Sequence, residues 1–406
     1  MNSAQIQPKL GLKENWRQFF LLVMINGFVG AMVGLERSIF PKFANEIFGI
    51  TTESAILSFI AIFGITKAIS NYFAGKLADK IGRKNLLSLG WVLAIPIPLI
   101  LGFTNSWLLV LFSNALLGIS QGLSWSSTVV MKIDLVGQKE RGLAMGFNEF
   151  AGYLAIGITA YLTAFVAEQF GIRPFPFLIG VGISAIGLFL SVFFVKDTYE
   201  HVKTESNLEK NENQESLFLK TTWKDKSLSS ITQAGLVNNL NDGMIWGLFP
   251  VLLTNLGFGM KEIGSLVAVY PMIWGIGQLG TGKLADIFPK KGIIVLGMLV
   301  QGFSIISFPF ATTKLDFINL NIVLGIGTAL VYPTFLAGIA SFSLPNQRAE
   351  TIGIFRLWRD LGYAFGAFFS GIIADQLGIE TSIITIGILT ILSGLIVQAR
   401  MPSENK

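Results

Sequence analysis

The chain reads as an all-α membrane protein with twelve transmembrane helices in two parallel six-helix repeats. Three observations lead there. Of its 406 residues, 52% are hydrophobic and 14% charged, with a mean hydropathy of +0.62, whereas roughly a quarter of a water-soluble domain is charged. Twelve apolar runs follow one another, each about 19 to 26 residues and so able to cross roughly 30 Å of hydrocarbon as a helix. The string Gly75-Lys76-Leu77-Ala78-Asp79 returns letter for letter as Gly282-Lys283-Leu284-Ala285-Asp286, 207 positions later.

Taken in order, residues 1–17 form a polar, mildly basic tail. The first six spans are expected at about 18–39, 52–74, 86–104, 107–131, 144–168 and 175–195, within a bundle over 18–196. The second six fall at about 229–254, 263–281, 292–311, 317–342, 352–374 and 380–399, within a bundle over 228–400. Between them, 197–227 is rich in Lys, Glu, Asn and Ser and reads as a flexible or surface-lying linker, and 401–406 is a short tail. The first run is too long for a signal-peptide core and no small-residue cleavage site follows it, so it is expected to stay as a span.

The repeat is more than one motif. At the same offset, Gly118, Ile119, Leu123 and Trp125 match Gly325, Ile326, Leu330 and Tyr332, and Arg141 with Gly146 matches Arg348 with Gly353. Six is an even number, so both halves start on the same side of the bilayer. Counting Lys and Arg puts twenty-two in the tails and loops assigned inside, Lys132 among them, against Arg37, Lys42, Arg173, Lys261 and Lys314 outside. Both termini are therefore expected in the cytoplasm. The net charge of +5 is accounted for by this asymmetry rather than by nucleic-acid binding. With no cysteine and one histidine, His201 in the linker, disulfides, thiolate metal sites and histidine clusters are excluded.

The charged, glycine-bearing stretch Gly75-Lys76-Leu77-Ala78-Asp79-Lys80-Ile81-Gly82-Arg83-Lys84 reads as a tight hairpin, with Gly75 and Gly82 letting the backbone turn. It resembles the loop between helices 2 and 3 of the major facilitator superfamily of secondary transporters. The resemblance covers roughly residues 17–400. It implies the fold of that family, no cofactor, and a cell-membrane protein acting as a monomer on a small solute. It also implies that the acidic residue of the loop docks at a helix end of the other half, while the arginine meets an acidic residue at the cytoplasmic end of span 4. Gly75, Asp79, Gly82, Arg83 and Asp134, with Arg141 nearby, are accordingly assigned to a cytoplasmic gate. The second copy, with Gly282 and Asp286, lacks a following Gly-Arg pair and makes a weaker latch.

Two nucleotide-binding look-alikes fall away. Gly275-x-Gly277-x-x-Gly280 and the run Gly277 to Lys283 lie in an apolar span with no preceding strand, and Leu284 stands where a phosphate loop needs Ser or Thr. Small residues so spaced let membrane helices pack closely. No nucleophile, metal cluster or phosphate site remains, so the chain is not expected to be an enzyme.

Ionisable groups within spans are costly and therefore candidates for the solute or proton pathway. Lys67 lies about 12 Å inside the membrane, at roughly 1.5 Å per residue from Gly75. Glu149 and Asp360 are at similar depth on spans 5 and 11. Arg356 and Asp360 are four apart and either neutralise each other or leave Asp360 to pair across the halves with Lys67, the inner-gate pairing we favour; Arg359 remains as surplus charge. On span 7, Asn238, Asn241 and Asp242 recur at i, i+3 and i+4 as one polar stripe, which together with Asn239 is expected to face the solute rather than merely to join helices. Asn26 on span 1 and Asn148 beside Glu149 join the pathway set. Glu36 and Arg37 serve an outer gate or anchor the chain at the interface. Trp125 and Tyr332, on equivalent spans, either cap a pocket or face lipid.

A carboxylate desolvated inside a bundle suits proton coupling; Glu149 is the first candidate and Asp242 the second. The mixed charge of Lys67, Arg356 and Arg359 against Glu149, Asp242 and Asp360 points to an anionic or zwitterionic solute. Drug-exporting members of the superfamily carry an arginine within helix 4 and a Gly-Pro pair in helix 5. Here span 4 reads Asn114 to Gly122 without arginine, and Gly152 and Gly157 lack a proline, which speaks against a typical multidrug antiporter. The expected function is alternating-access transport of a small polar or charged solute coupled to protons. Uncoupled facilitation and a transporter-like solute sensor are the alternatives.

Overall fold

The structure, a computed structural model, describes residues 10–136, 141–198, 201, 216–344 and 347–403, without the side chains at 75, 76, 79, 141, 285, 286, 348 and 349. Hydrocarbon offers no partner for a peptide group, so a spanning backbone must bond to itself, and among the described residues it does so as helix alone. The first half holds α1 (Leu12–Arg37), α2 (Glu53–Ile81), α3 (Arg83–Ala94, resumed as Pro96–Phe103), α4 (Trp107–Val136), α5 (Arg141–Phe170) and α6 (Phe175–Phe193). The second holds α7 (Lys226–Asn255), α8 (Met260–Ile287), α9 (Lys290–Ser307), α10 (Lys314–Phe342), α11 (Arg348–Leu377) and α12 (Ile379–Arg400). A short helix, Phe40–Phe48, follows α1, and a helical stretch over Leu217–Lys224 precedes α7.

Ten of the twelve are long and apolar enough by themselves to cross a membrane. The exceptions, α7 and α11, are each 30 residues long but carry the polar residues of the centre, Asn238 to Asp242 on one and Arg356, Arg359 and Asp360 on the other. Large apolar side chains point outward instead, with Leu108 at 74%, Phe310 at 72% and Phe193 at 70% exposure. Such a surface is soluble only in lipid.

The duplication is visible in the packing. In the first half α1 lies on α5, α2 on α4, and α3 on α4 and α6. In the second, α7 lies on α11, α8 on α10, and α9 on α10 and α12, the same pattern six helices on. The halves meet along α2–α11 and α5–α8, two seams that the repeat interchanges.

The hairpin at 75–84 is tighter than the sequence suggested. Good helix formers carry α2 through Gly75 to Ile81, and the chain turns at Gly82 alone, whose φ of +87° favours glycine. Likewise Gly282 is interior to α8, which runs on to Ile287.

Glycine also sets the closest helix contacts. A Cβ on Gly30 of α1 would sit 2.1 Å from the Gly152 carbonyl oxygen of α5, and one on Gly366 of α11 would sit 2.1 Å from the Leu240 carbonyl oxygen of α7. Backbone cannot yield as a side chain can. Gly30→Ala and Gly366→Ala are each expected to cost about 1–3 kcal/mol or more and to lower the thermal midpoint in nanodiscs. Gly142→Ala and Gly353→Ala, with nothing within 4 Å, should leave it unchanged.

Candidate functional site

Between the two seams, side chains from both halves line a void of about 10 Å³, room for one water. The first half contributes Lys67 and Asn71 from α2, Trp125 and Ser126 from α4, and Glu149 and Tyr153 from α5. The second contributes Tyr332 from α10 and Arg356 and Arg359 from α11. Trp125 and Tyr332 thus border the void rather than lipid.

Asp360 anchors this centre. It is fully buried and accepts from Arg359 Nε at 2.9 Å and Nη2 at 2.8 Å, from the Asn71 amide, and from Asn239 Nδ2 at 3.4 Å. Asn71 Oδ1 in turn accepts from Ser126 at 2.6 Å, so the carboxylate of one half is tied to two helices of the other. The pairings the sequence suggested for Asp360, with Lys67 or Arg356, are not formed. A flexible guanidinium one residue away folds back and brings two of its N–H groups onto one oxygen, Oδ1, which spacing along a helix does not anticipate.

Lys67 is left among rings, its Nζ 5.0 Å from Tyr363, 5.4 Å from Phe63 and 5.5 Å from Trp125. Among the described residues no carboxylate lies within ion-pairing reach of it. Arg356 is similarly placed, with Nη1 3.5 Å from Ser126 Oγ and Nε unbonded. Glu149 Oε1 accepts from Trp125 Nε1 at 3.0 Å and Asn148 Nδ2 at 2.8 Å, while Oε2 has no partner. Tyr153 stacks on Trp274 at 3.4 Å and its hydroxyl meets that of Tyr332 at 3.4 Å, forming an aromatic wall across the α5–α8 seam.

The α7 stripe is not brought to the void. Asn241 turns outward into its own half, donating to Gln301 at 3.2 Å and accepting from Thr390 at 2.6 Å, partners that an amide between α9 and α12 can saturate. Asn238 donates to Asn239, and Asp242 accepts from the Tyr270 hydroxyl at 2.5 Å, with its other oxygen unbonded. Asn26 is equally occupied inside the first half, donating to the Asn148 carbonyl at 2.7 Å and accepting from Thr128 at 2.8 Å.

Glu36 and Arg37, at the end of α1, are each 1% exposed and so are covered by protein. The Arg37 guanidinium lies 4.1 Å over Trp246 of α7 and 5.2 Å over Phe63, a cation on aromatic faces spanning the halves. At the rim away from the termini, two further bridges escaped the sequence reading. Asp375 of α11 caps α2, accepting from the backbone N–H groups of Glu53 at 2.6 Å and Ser54 at 3.2 Å. Glu168 of α5 caps α8 through Lys261 N–H at 2.5 Å. Acids at helix N-termini are favourable, and these two stand 207 residues apart, the repeat offset, which is the signal that would have found them.

At the end bearing the termini, Arg83 Nε lies 2.7 Å from Asp134, whose Oδ2 also accepts from Thr198 at 2.7 Å. Asp197 Oδ2 accepts from Lys84 N–H at 2.9 Å beside Gly82. The side chains of Asp79, Arg141 and Asp286 lie outside the described residues. Lys132, counted as a loop lysine, is instead fully buried within α4.

Two six-helix repeats closing on a buried charged centre in lipid define a multi-pass membrane transporter of duplicated design. The Major Facilitator Superfamily pattern matches residues 19–239 and 231–406, and the chain belongs to that superfamily. It is 32% identical to an uncharacterized MFS-type transporter of Methanocaldococcus jannaschii over 39% of this chain and 41% of that protein. Over most of both lengths it resembles Multidrug resistance protein 2 of Bacillus subtilis, at 26% identity over 88% of this chain and 89% of the relative. Multidrug resistance protein MdtG of Citrobacter koseri is 23% identical over 90% of each.

Proposed function

We propose that the protein carries a small polar or charged solute across the membrane by alternating access, coupled to protons on Glu149, with both termini in the cytoplasm. The observation that supports this most is the void itself: charged groups from both halves converge on a space that holds no more than one water. Such a centre is reached only if the halves rock apart. Lys67 and Arg356 supply positive charge from opposite halves without carboxylate partners, which favours an anionic or zwitterionic solute. Glu149 is preferred to Asp242 as proton carrier because its unbonded oxygen belongs to a residue bordering the void, whereas Asp242 is held by Tyr270 away from it. Arg83 with Asp134, joined by Gly75, Asp79, Gly82, Arg141, Gly282 and Asp286, closes the inner side. Arg37 on Trp246, beside Glu36, together with the Glu168 and Asp375 caps, closes the outer side.

The relatives named for multidrug resistance support a second reading, export of lipophilic compounds, and the aromatic wall of Tyr153, Trp274 and Tyr332 suits it. Reconstitution with an internal pH dye separates these readings. The panel is amino acids, organic acids and lipophilic cations. Uptake of an acid or amino acid with a matching pH change is expected. Flux without a pH change would mean uncoupled facilitation, binding without flux a sensor, and movement of the cations alone drug export.

The outer closure carries its own expected result. Glu168→Gln with Asp375→Asn should raise labelling of Leu57→Cys, buried where α2 meets Gly247 of α7, by an outside, membrane-impermeant thiol reagent several-fold, in a chain that otherwise has no cysteine. The two caps are each worth about 1 kcal/mol, and their joint loss shifts a two-state opening about thirtyfold at most.

A further inference from the structure

Four pairs of side chains at the centre stand at the repeat offset of 207: Lys67 with Trp274, Trp125 with Tyr332, Glu149 with Arg356, and Tyr153 with Asp360. Duplication placed the same positions in both halves, and the two copies fill them differently. The α2–α11 seam carries Lys67 and Asp360 where the α5–α8 seam carries Trp274 and Tyr153. One side of the centre is charged, and the other is aromatic.

The charged side has donors to spare. Lys67 Nζ rests over the Tyr363 and Trp125 rings, and among the described residues it has no carboxylate in ion-pairing reach. Arg356 Nε is unbonded, and so is Nε1 of the fully buried Trp274, a group that only donates. A buried donor left without an acceptor is costly. Asp360 is taken up by Arg359 and two amides, and the unbonded acceptor bordering the void is Glu149 Oε2. What the centre lacks is an acceptor with negative charge.

The aromatic side is a stack built across the halves. The rings of Tyr153 and Trp274 lie 3.4 Å apart with 27° between their planes, and Trp274 meets Tyr332 edge-on at 5.1 Å. Parting the halves parts this stack, and a flat ring entering there replaces one ring–ring contact with two. Lys67 is one ring away: its Nζ is 5.5 Å from Trp125, whose ring is 5.4 Å from that of Tyr153. A ring bearing an anionic group on a short chain bridges that gap. A lipophilic cation fits less well, because Lys67 already lies over Trp125 and Arg359 over Tyr332, at 5.2 Å, and the surplus charge is of its own sign.

We propose that the solute is an aromatic organic anion, its ring seated between Tyr153 and Trp274 and its carboxylate held by Lys67 and Arg356. The inference rests on the reading of the void as the solute site and narrows it.

Three probes of one size decide it: phenylpropanoate, cyclohexylpropanoate and phenylpropylammonium. The second keeps the charge and is the more apolar; the third keeps the ring and reverses the charge. Each is titrated onto the wild-type protein in nanodiscs near neutral pH, and its affinity is read from the rise in thermal midpoint. Phenylpropanoate is expected to bind about tenfold more tightly than either of the others. Trp274→Leu should bring the two acids level, a ratio taken within one variant and so independent of its stability. Lys67→Met should weaken both acids about tenfold. If cyclohexylpropanoate binds as well as phenylpropanoate, or if Trp274→Leu keeps the preference, the aromatic seat is wrong and the anionic reading stands. If phenylpropylammonium binds best, the anionic reading fails and this inference with it. If neither acid binds, the inference falls, and uptake of non-aromatic acids then judges the anionic reading separately.

Discussion

Glu149→Gln should exchange solute across the membrane at close to the wild-type rate and fail to accumulate it. With one proton per solute, a pH difference of one unit is worth about 1.36 kcal/mol and supports about tenfold accumulation. The variant's ratio should fall to about one. The reason is local: glutamine fills the same space and still accepts from Trp125 Nε1, so the aromatic border of the void stays in place, but the group can no longer be charged and discharged. Counterflow and pH-driven uptake, measured on the same vesicles, separate the two properties. Asp242→Asn is the matched comparison, and it should keep accumulation, because Tyr270 already occupies one carboxylate oxygen outside the void. If Asp242→Asn collapses accumulation while Glu149→Gln does not, the proton site belongs on α7.

The sequence carried the architecture because the bilayer makes length and apolarity decisive. Even α7 and α11, the most polar of the twelve, show as runs at about 229–254 and 352–374, and the repeat demands them as partners of α1 and α5. The ion pair of Arg83 with Asp134 was legible through the hairpin motif. What stayed hidden depends on which way a side chain turns about its helix. Asn241 and Asn239 are two residues apart on α7, yet one joins α9 and α12 and the other reaches Asp360. Arg359 defeated the spacing rule because adjacent residues do not normally face each other, and its length let it do so. Asn71 was overlooked as one polar residue near a charged loop, although it lies one turn from Lys67 on the same face. Lys132 was lost to the charge count, which assigns lysines near a span's end to water and has no means of seeing α4 extend to Val136.

Arg359→Gln should be the most damaging single change in the centre. It leaves Asp360, fully buried, with two amide donors in place of a guanidinium. Removing one partner of a buried ion pair costs about 3–5 kcal/mol, mostly the penalty of the charge left behind. Asp360→Asn should cost less, because Arg359 still lies 5.2 Å over the Tyr332 ring, a contact that offsets part of its charge. The double variant Arg359→Gln, Asp360→Asn removes both charges and should recover most of the lost thermal midpoint in nanodiscs, a coupling of about 2 kcal/mol or more between the sites. Lys67 provides the contrast. Exchanging Lys67 and Asp360 should not restore what either single change removes, because the carboxylate's partner is Arg359, which the exchange leaves beside a second cation. A rescue by that exchange would mean that the two residues pair in another conformation of the transport cycle, with Arg359 released to the solute.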